Sequence, residues 1–183
     1  MNKLTTLKTA LSLAALLALP VAHAEMMSKV DYKASKTKIS TDYKADKAAC
    51  GSLAANAKDI CVEEAKAKEK NAKADLEFSY TGTLKDQNKA LTAHAESAYA
   101  VAKERCDDKS GNDKDVCVKE AKAIEVKALA DIKLVKEIRA AKTDATADKM
   151  NADYKVAAEK CESLAGDAKT QCVAAAKMKF GKT

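Results

Sequence analysis

Six cysteines are the residues of this sequence with the greatest capacity for chemistry, and they form three pairs with one spacing. Two cysteines eleven positions apart on an unbroken helix lie about 16 Å apart, because each residue adds about 1.5 Å. A disulfide requires Cα atoms about 4.4–6.8 Å apart. The thiols of each pair are therefore either unbonded or joined by a chain that reverses between them. The pairs are Cys50 with Cys61, Cys106 with Cys117, and Cys161 with Cys172.

Unbonded thiols would suit a metal or redox role. Reduced thiolates bind soft metals such as copper(I) and zinc, and thioredoxin-type enzymes use a Cys-x-x-Cys motif. Here no two cysteines have that spacing and no histidine is next to a cysteine. We therefore interpret the cysteines as structural and expect none to be a metal ligand. A thiol-based metal or redox protein is kept as the third alternative.

The residues midway between the cysteines predict a reversal of the chain. Glycine or asparagine readily takes the left-handed conformation that ends a helix, and asparagine or aspartate is a favoured N-cap. Each unit is therefore predicted to be a helix, a tight turn and a second helix, with its two cysteines bonded to each other. This local pairing is favoured over the other connectivities that six cysteines allow. The turn residues are Ala55-Asn56, Gly111-Asn112 and Gly166-Asp167.

Each cysteine pair belongs to one copy of an internal repeat, at about residues 43–66, 99–122 and 154–177. Seven positions are identical in all three copies, which is a strong sign of a repeat. They are both cysteines, a tyrosine before them, a lysine between them, and a valine, an alanine and a lysine after them. The apolar members are predicted to form the repeat core. This core is Tyr43, Tyr99, Tyr154, Val62, Val118, Val173, Ala65, Ala121 and Ala176.

The composition predicts an all-α fold. Alanine and lysine dominate, the only proline is Pro20, and tryptophan is absent. Alanine, lysine and glutamate are good helix formers, and no segment alternates as a strand would. Charged residues of both signs alternate closely, which is typical of solvated helix faces. One apolar stripe with helical spacing is predicted to be buried, at Ala121, Ile124, Ala128, Ile132, Val135 and Ile138.

We predict a single helical domain over residues 25–183. Its architecture is an elongated antiparallel bundle of long helices with three disulfide-stapled helical hairpins, which we favour over a solenoid of stacked hairpins. Two segments between the hairpins are weak points at which a helix would bend or break. They are residues 79–86, around Gly82, and residues 142–153.

The first 24 residues predict a secretory signal peptide. Lys3 and Lys8 precede the short apolar run ALSLAALLAL, and Pro20 and a small-residue site follow. Cleavage after Ala24 would leave Glu25 at the new N-terminus, in the periplasm or outside the cell. The run is too short to cross a bilayer, and no later stretch predicts a transmembrane segment. Disulfides persist in such a compartment.

No motif of the sequence predicts catalysis or a cofactor. His94 is the single histidine after the predicted signal, and there is no glycine-rich phosphate loop, nucleophile elbow or zinc-protease helix. The net charge is +6, or +4 without the two lysines of the signal, and the only arginines are Arg105 and Arg139. Few aromatic residues accompany these charges, so specific nucleic-acid binding is not predicted either.

The units YAVAKERCDDKSGNDKDVCVKEAK and CESLAGDAKTQCVAAAKMKFGKT resemble those of small exported bacterial proteins rich in alanine and lysine. Such proteins are often labelled "cell envelope biogenesis protein, TolA-like". The resemblance covers most of the chain after the signal and implies an exported envelope protein. It carries over no functional residues, since we attribute the TolA label to helical composition.

Two function hypotheses follow. The first is a non-enzymatic protein with a structural or protein-interaction role in the cell envelope, whose partner is an envelope protein or polymer. The second is a periplasmic chaperone or stress-protective protein that holds unfolded clients against lysine-rimmed helical surfaces. A large exposed apolar groove would favour the second, because soluble monomers rarely leave such patches bare. The identity of the partner and homo-oligomerisation are left open.

Overall fold

The computed structural model describes residues 27–182, and this part of the chain is helical without a β-strand. The predicted all-α fold is confirmed. The predicted signal peptide and its cleavage site after Ala24 lie outside the described residues. The elements are α1 (Lys29–Ala49), a short 3-10 turn (Cys50–Ser52), α2 (Ala55–Thr81), α3 (Leu84–Cys106), α4 (Gly111–Cys161) and α5 (Gly166–Lys179).

Each helix packs against its neighbours along the chain. α2 packs on α1 and on α3, α3 packs on the first part of α4, and α5 folds back on the last part of α4. Among residues 27–182, no other pair of helices brings Cα atoms within 8 Å. The helices are therefore antiparallel in succession, and they form an open bundle. In particular, α2 and α4 both pack on α3 without packing on each other.

Small side chains make up most of the buried core. Helices rich in alanine approach closely but bury little apolar area per residue, so each helix pair is held by a limited apolar contact. This explains why cross-links at the hairpin ends are useful to the fold. The buried apolar residues are Cys50, Ala65, Leu76, Ala90, Ala93, Cys106, Ala121, Cys161 and Ala176.

The first predicted weak point, residues 79–86, is the turn between α2 and α3. Gly82 ends α2 with a φ of 63°, in the left-handed region that glycine adopts without steric cost. Thr83 is the N-cap of α3, and its hydroxyl accepts a hydrogen bond from the Asp86 amide at 3.1 Å. The same hydroxyl donates to the Asp86 carboxylate at 2.7 Å, which completes a reciprocal cap.

The second weak point, residues 142–153, lies inside α4 and does not break it. α4 is continuous over 51 residues, or about 76 Å. Thr143 and Thr146 donate their hydroxyl protons to carbonyls one turn earlier, so their side chains are accommodated within the helix. Residues 144–150 lie between Thr143 and Asn151. Thr143 is the last α4 residue that lines a cavity beside α3, and the Asn151 side chain accepts a hydrogen bond from Lys182. We call this fully exposed segment the neck.

The three hairpin turns differ from their prediction in one respect. The residues expected to end the first helix and cap the second are instead the first two residues of the second helix. The first of them has a positive φ, which costs about 1–2 kcal/mol for residues other than glycine, and two of the three copies use glycine. The left-handed residues are Ala55, Gly111 and Gly166, with φ of 49°, 55° and 58°, and the N-caps before them are Ala54, Ser110 and Ala165.

Because Asn56 is not an N-cap, its side chain is available for a contact between repeats. Its amide donates to the Glu104 carbonyl oxygen at 3.1 Å and to the Asp108 carboxylate at 2.7 Å. These bonds join the turn of the first hairpin to the turn of the second. The first two turns therefore lie at the same end of the molecule.

The predicted apolar stripe of α4 is only partly buried, so this prediction is wrong for half of its members. Ala121 is buried, and Ala128 and Ile132 are half-buried. The remaining three face solvent because α4 has one neighbouring helix here, and that neighbour covers only a narrow face. The exposed members are Ile124, Val135 and Ile138, which are 67%, 43% and 57% exposed.

Candidate functional site

The structure brings the cysteines together in the pairs that the sequence predicts. The Cα atoms are 5.6 Å apart in Cys50–Cys61 and 5.7 Å apart in Cys106–Cys117 and Cys161–Cys172. In every pair the first cysteine is buried and the second is half-buried. Within residues 27–182 there is no group of three histidine, cysteine, aspartate or glutamate side chains that could hold a metal ion. Each pair lies at the end of a hairpin, where a cross-link joins two helices.

The apolar residues of the repeat lie beside these cross-links. The repeated alanines are buried, and the repeated valines and tyrosines are half-buried. Lys122 lies over the Tyr99 ring, 4.7 Å from its centroid, and Phe180 packs edge-on against Tyr154 at 6.4 Å. These positions therefore pack the hairpins. They are Ala65, Ala121, Ala176, Val62, Val118, Val173, Tyr43, Tyr99 and Tyr154.

The lysine repeated between the cysteines has a partner that sequence reasoning missed. Lys114 pairs with Asp107 at 2.9 Å, and Lys169 pairs with Glu162 at 2.7 Å. In both copies the acidic residue directly follows the first cysteine, so the pair crosses the turn. The first copy has Gly51 at this position and lacks the carboxylate. These pairs are exposed, so each contributes at most about 1 kcal/mol.

A groove between α2, α3 and α4 is the candidate functional site. Its volume is about 850 Å³, and its floor consists of short or branched side chains. Ala93 is buried and the other floor residues are half-buried. We define the floor by five residues, which are Ala74 on α2, Thr92 and Ala93 on α3, and Leu129 and Ile132 on α4.

The rim of the groove is strongly basic. Six lysines and only two carboxylates, those of Glu69 and Glu96, line it together with Asn88. Four of the lysines form ion pairs. These are Lys73 with Glu69 at 2.7 Å, Lys70 with Glu96 at 2.6 Å, Lys89 with Asp86 at 2.8 Å, and Lys133 with Glu137 at 3.8 Å; the other rim lysines are Lys85 and Lys136.

Two rim lysines, on two different helices, line the groove without a carboxylate partner. Within residues 27–182, neither Lys85 on α3 nor Lys136 on α4 has an acidic group within 4.0 Å. Both also line a second cavity of about 400 Å³, which extends the groove toward the start of α3. Arg139 lines that cavity and donates to the Gln87 side chain at 3.0 Å. The extension is therefore basic as well.

No protein-family model, curated protein or solved structure matches this chain. The site is therefore interpreted from its own geometry. Across residues 27–182, no helix is long and apolar enough to cross a membrane. His94, the only histidine of this range, lies outside the groove lining, with Nε2 at 3.0 Å from both carboxylate oxygens of Asp75.

Asp86 connects the α2–α3 turn to the rim of the groove. Its carboxylate accepts hydrogen bonds from the Lys89 ammonium group and from the hydroxyls of Thr83 and Thr81. Because the charged form receives these bonds, the pKa of Asp86 lies well below its usual value of 3.8, with Lys89 as the largest cause. The Asp86 side chain thus holds the hydroxyl of the N-cap residue Thr83 and positions one rim lysine.

We expect Asp86→Asn to lower the melting temperature by a few degrees near pH 7, because the carboxylate that accepts from the Thr81 and Thr83 hydroxyls is lost together with its ion pair to Lys89. The pKa of Asp86 is lower in the folded state than in the unfolded state. Its stabilising effect is therefore complete above about pH 5 and is lost as the pH falls below about 4. Melting curves of both proteins across this range are expected to converge at low pH.

Asp148→Asn is the matched control, since Asp148 is exposed in the neck. We expect this variant to melt like the wild type at every pH. A difference in melting temperature between the wild type and Asp86→Asn that stays constant down to about pH 2 would contradict the assigned role of the carboxylate.

Proposed function

We propose that this chain is a non-enzymatic exported protein that binds a partner protein in the cell envelope through the groove between α2, α3 and α4. The observation that carries this proposal is the apolar floor left open between α2 and α4, with a rim of six lysines. Contiguous apolar patches on soluble proteins commonly mark interaction sites. The three cysteine pairs at disulfide distance support export, because disulfides persist in oxidising compartments.

The lining of the groove is suited to binding. Its alanine, leucine and isoleucine side chains offer apolar contact, and its lysines combine flexible apolar stems with mobile charges. Such lysines attract an oppositely charged partner and accelerate its encounter with the groove. The apolar floor would then provide the larger part of the affinity, since buried apolar surface dominates association.

Structure at both ends of the groove supports a preformed binding surface. At one end, the Gly82 turn and the Thr83 N-cap join α2 to α3. At the other end, Cys106–Cys117 joins α3 to α4, and Asn56 at the start of α2 bonds to the end of α3. Three helices fixed in this way lose little conformational freedom on binding, which favours affinity.

The same observation also favours the second candidate function, that of a chaperone. An exposed apolar floor could hold unfolded segments of many clients, and the lysine rim would keep the complex soluble. The two functions differ in selectivity, because a chaperone binds many unfolded sequences and an interaction protein binds one folded partner.

Photo-crosslinking tests the proposed function. A photoreactive residue is placed at Thr92 in the floor, or at Val126, which is 53% exposed on α4 and outside the groove. After irradiation of intact cells, we expect a discrete adduct from position 92 and none from position 126. The crosslinked protein is then identified, purified and tested for binding to the unmodified wild-type protein.

The reconstituted complex provides the decisive comparison. We expect Ile132→Glu to lower the affinity for the purified partner at least about tenfold, because it puts a charge into the apolar floor. The control Val126→Glu, with the same change on an exposed site of the same helix, should bind normally. Equal binding by both variants, with circular dichroism spectra like that of the wild type, would overturn the proposed function.

Light scattering separates the chaperone from the interaction protein. If the groove holds unfolded clients, the oxidised protein should suppress the aggregation of heated citrate synthase, and Ile132→Glu should abolish that effect. We expect no suppression by either protein. Suppression that depends on Ile132 would favour the chaperone over the interaction protein.

A further inference from the structure

We infer that the occupant of the groove is an acidic amphipathic α-helix of a partner protein, which lies between α2 and α4 as a fourth helix. This inference rests on the proposed function and deepens it by naming the kind of partner. It is carried by the shape of the groove, by the size of its floor residues and by its charge.

The shape of the groove matches a missing helix. α2 and α4 both pack on α3, yet their Cα atoms stay more than 8 Å apart. Packed helices have axes about 8–10 Å apart, so two helices that flank a third leave a position for another. A helix in that position would contact all three and close a four-helix bundle.

The length of the groove sets the length of the occupant. On α3 the lining runs from Lys85 to Glu96, which corresponds to about 17 Å of helix, or three turns. The adjoining cavity continues along α4 to Thr143. An occupant of roughly four turns, about 14–16 residues, would fill both.

The floor is suited to a helix because its centre is made of small side chains. Ala74, Thr92 and Ala93 leave room for a helix backbone to approach, and Leu129 and Ile132 form an apolar wall on one side. Amphipathic helices bind apolar grooves through their apolar face, with anchors on the peptide at every third or fourth residue. An occupant with leucine or isoleucine at this spacing would bury its apolar face against the floor.

The positive charge of the rim indicates that the polar face of the occupant is acidic. The rim carries six lysines against two carboxylates, and Arg139 adds a further positive charge at the extension. Lys85 and Lys136, which lack acidic partners in the described chain, lie on two of the three helices around the groove. Carboxylates on both flanks of an amphipathic helix would lie within reach of these ammonium groups, which is electrostatic complementarity.

The same charge argument excludes two apolar segments of this chain as the occupant. One exposed apolar part of α4, residues 133–142 with the sequence KLVKEIRAAK, has four basic residues and one acidic residue. The apolar run near the start of the chain follows Lys3 and Lys8 and has no carboxylate before Glu25. Both segments would bring positive charge to a positive rim, so neither is the acidic helix.

Two synthetic peptides of 16 residues test the inference with the oxidised protein. Both carry leucine and isoleucine along one helical face, and the polar face carries glutamate in one peptide and lysine in the other. We expect saturable binding of the glutamate peptide by fluorescence anisotropy, weakened by added salt, and no binding of the lysine peptide.

Charge reversal locates the interaction. We expect Lys85→Glu/Lys136→Glu to lower the affinity for the glutamate peptide at least about tenfold. Glutamate is well tolerated at position 85, because it lies in the first turn of α3. Lys149→Glu/Lys155→Glu is the matched control, with the same change of net charge in the distal part of α4, and it should change the affinity less than about twofold.

Three results would overturn the inference. The first is equal binding of the two peptides, and the second is binding that the reversal at positions 85 and 136 leaves unchanged. The third is displacement of the peptide by laurate or by anionic phospholipid vesicles, which would make the occupant an anionic lipid. None of these results removes the adduct expected from position 92, so failure of the inference and failure of the proposed function are distinguishable.

Discussion

Cys161→Ala/Cys172→Ala is expected to release α5 from α4 and to unfold it. The described part of α5 packs on α4 alone, and the helix has 14 residues with one buried residue, Ala176. Isolated helices of this length are marginal in water. A disulfide that closes a loop of this size contributes about 3 kcal/mol in the chain-entropy model. Hydrogen exchange should therefore show lost amide protection over residues 166–179.

Cys106→Ala/Cys117→Ala is the matched control for that experiment. α3 also packs on α2, and α4 packs on α3 over several turns, so these helices keep partners when their cross-link is removed. We expect a lower melting temperature and retained protection in both helices, with α5 unchanged. Full protection of α5 in Cys161→Ala/Cys172→Ala would contradict the role of the third pair as its main attachment.

Ala147→Pro is expected to break α4 within the neck. Proline in a helix interior removes a hydrogen bond and clashes with the carbonyl four residues earlier, which costs about 3 kcal/mol. The described neck residues are exposed, so no tertiary contact holds the helix together there. Small-angle X-ray scattering should show a shorter and more variable maximum dimension, because α4 is continuous through this segment in the wild type.

Ala147→Gly serves as the control for the proline variant. Glycine lowers helix stability by about 1 kcal/mol and keeps the backbone hydrogen bond, so the scattering curve should stay close to that of the wild type. Both variants are expected to bind the glutamate peptide normally, since the groove lies before the neck. A proline variant with unchanged scattering would mean that α4 is already bent or broken in solution.

The hairpins were predictable from the sequence because the same local pattern of cysteines and turn residues occurs three times in the chain. Cys106 and Cys117, with Gly111 between them, indicate a reversal, and the other two copies repeat the pattern. The break at Gly82 was also predictable, since glycine is followed by a threonine N-cap. These features depend on residues that are close in sequence.

Other features of the fold depend on neighbours that the sequence does not specify. The spacing of Ile124 and Ile138 indicates a helix, but it does not indicate that α4 has a single packing partner and leaves both residues exposed. The N-caps of the hairpin turns lie two residues earlier than predicted, because the residue with positive φ is the first residue of the second helix. Residues 142–153 contain no glycine or proline, and their threonine hydroxyls bond to carbonyls within the helix, so the predicted break did not occur.

The groove could not be predicted from the sequence because the residues that line it are far apart in the chain. Ala74, Thr92 and Ile132 come from three helices, and each lies in an alanine- and lysine-rich segment typical of a solvated face. Only the packing of both α2 and α4 on α3 brings them together. The hypothesis of lysine-rimmed helical surfaces anticipated the character of the site but no residue of it.

Chemical-shift mapping tests the central claim most directly, which is that the groove between α2, α3 and α4 is the binding surface. Isotope-labelled, oxidised protein is titrated with the glutamate peptide, and backbone amide shifts are followed. We expect the shifted amides to lie at residues 69–74, 85–96 and 129–143, which line the groove and its extension. Shifts confined to α5, the neck or the cysteine turns, or no shifts at a saturating peptide concentration, would contradict the account.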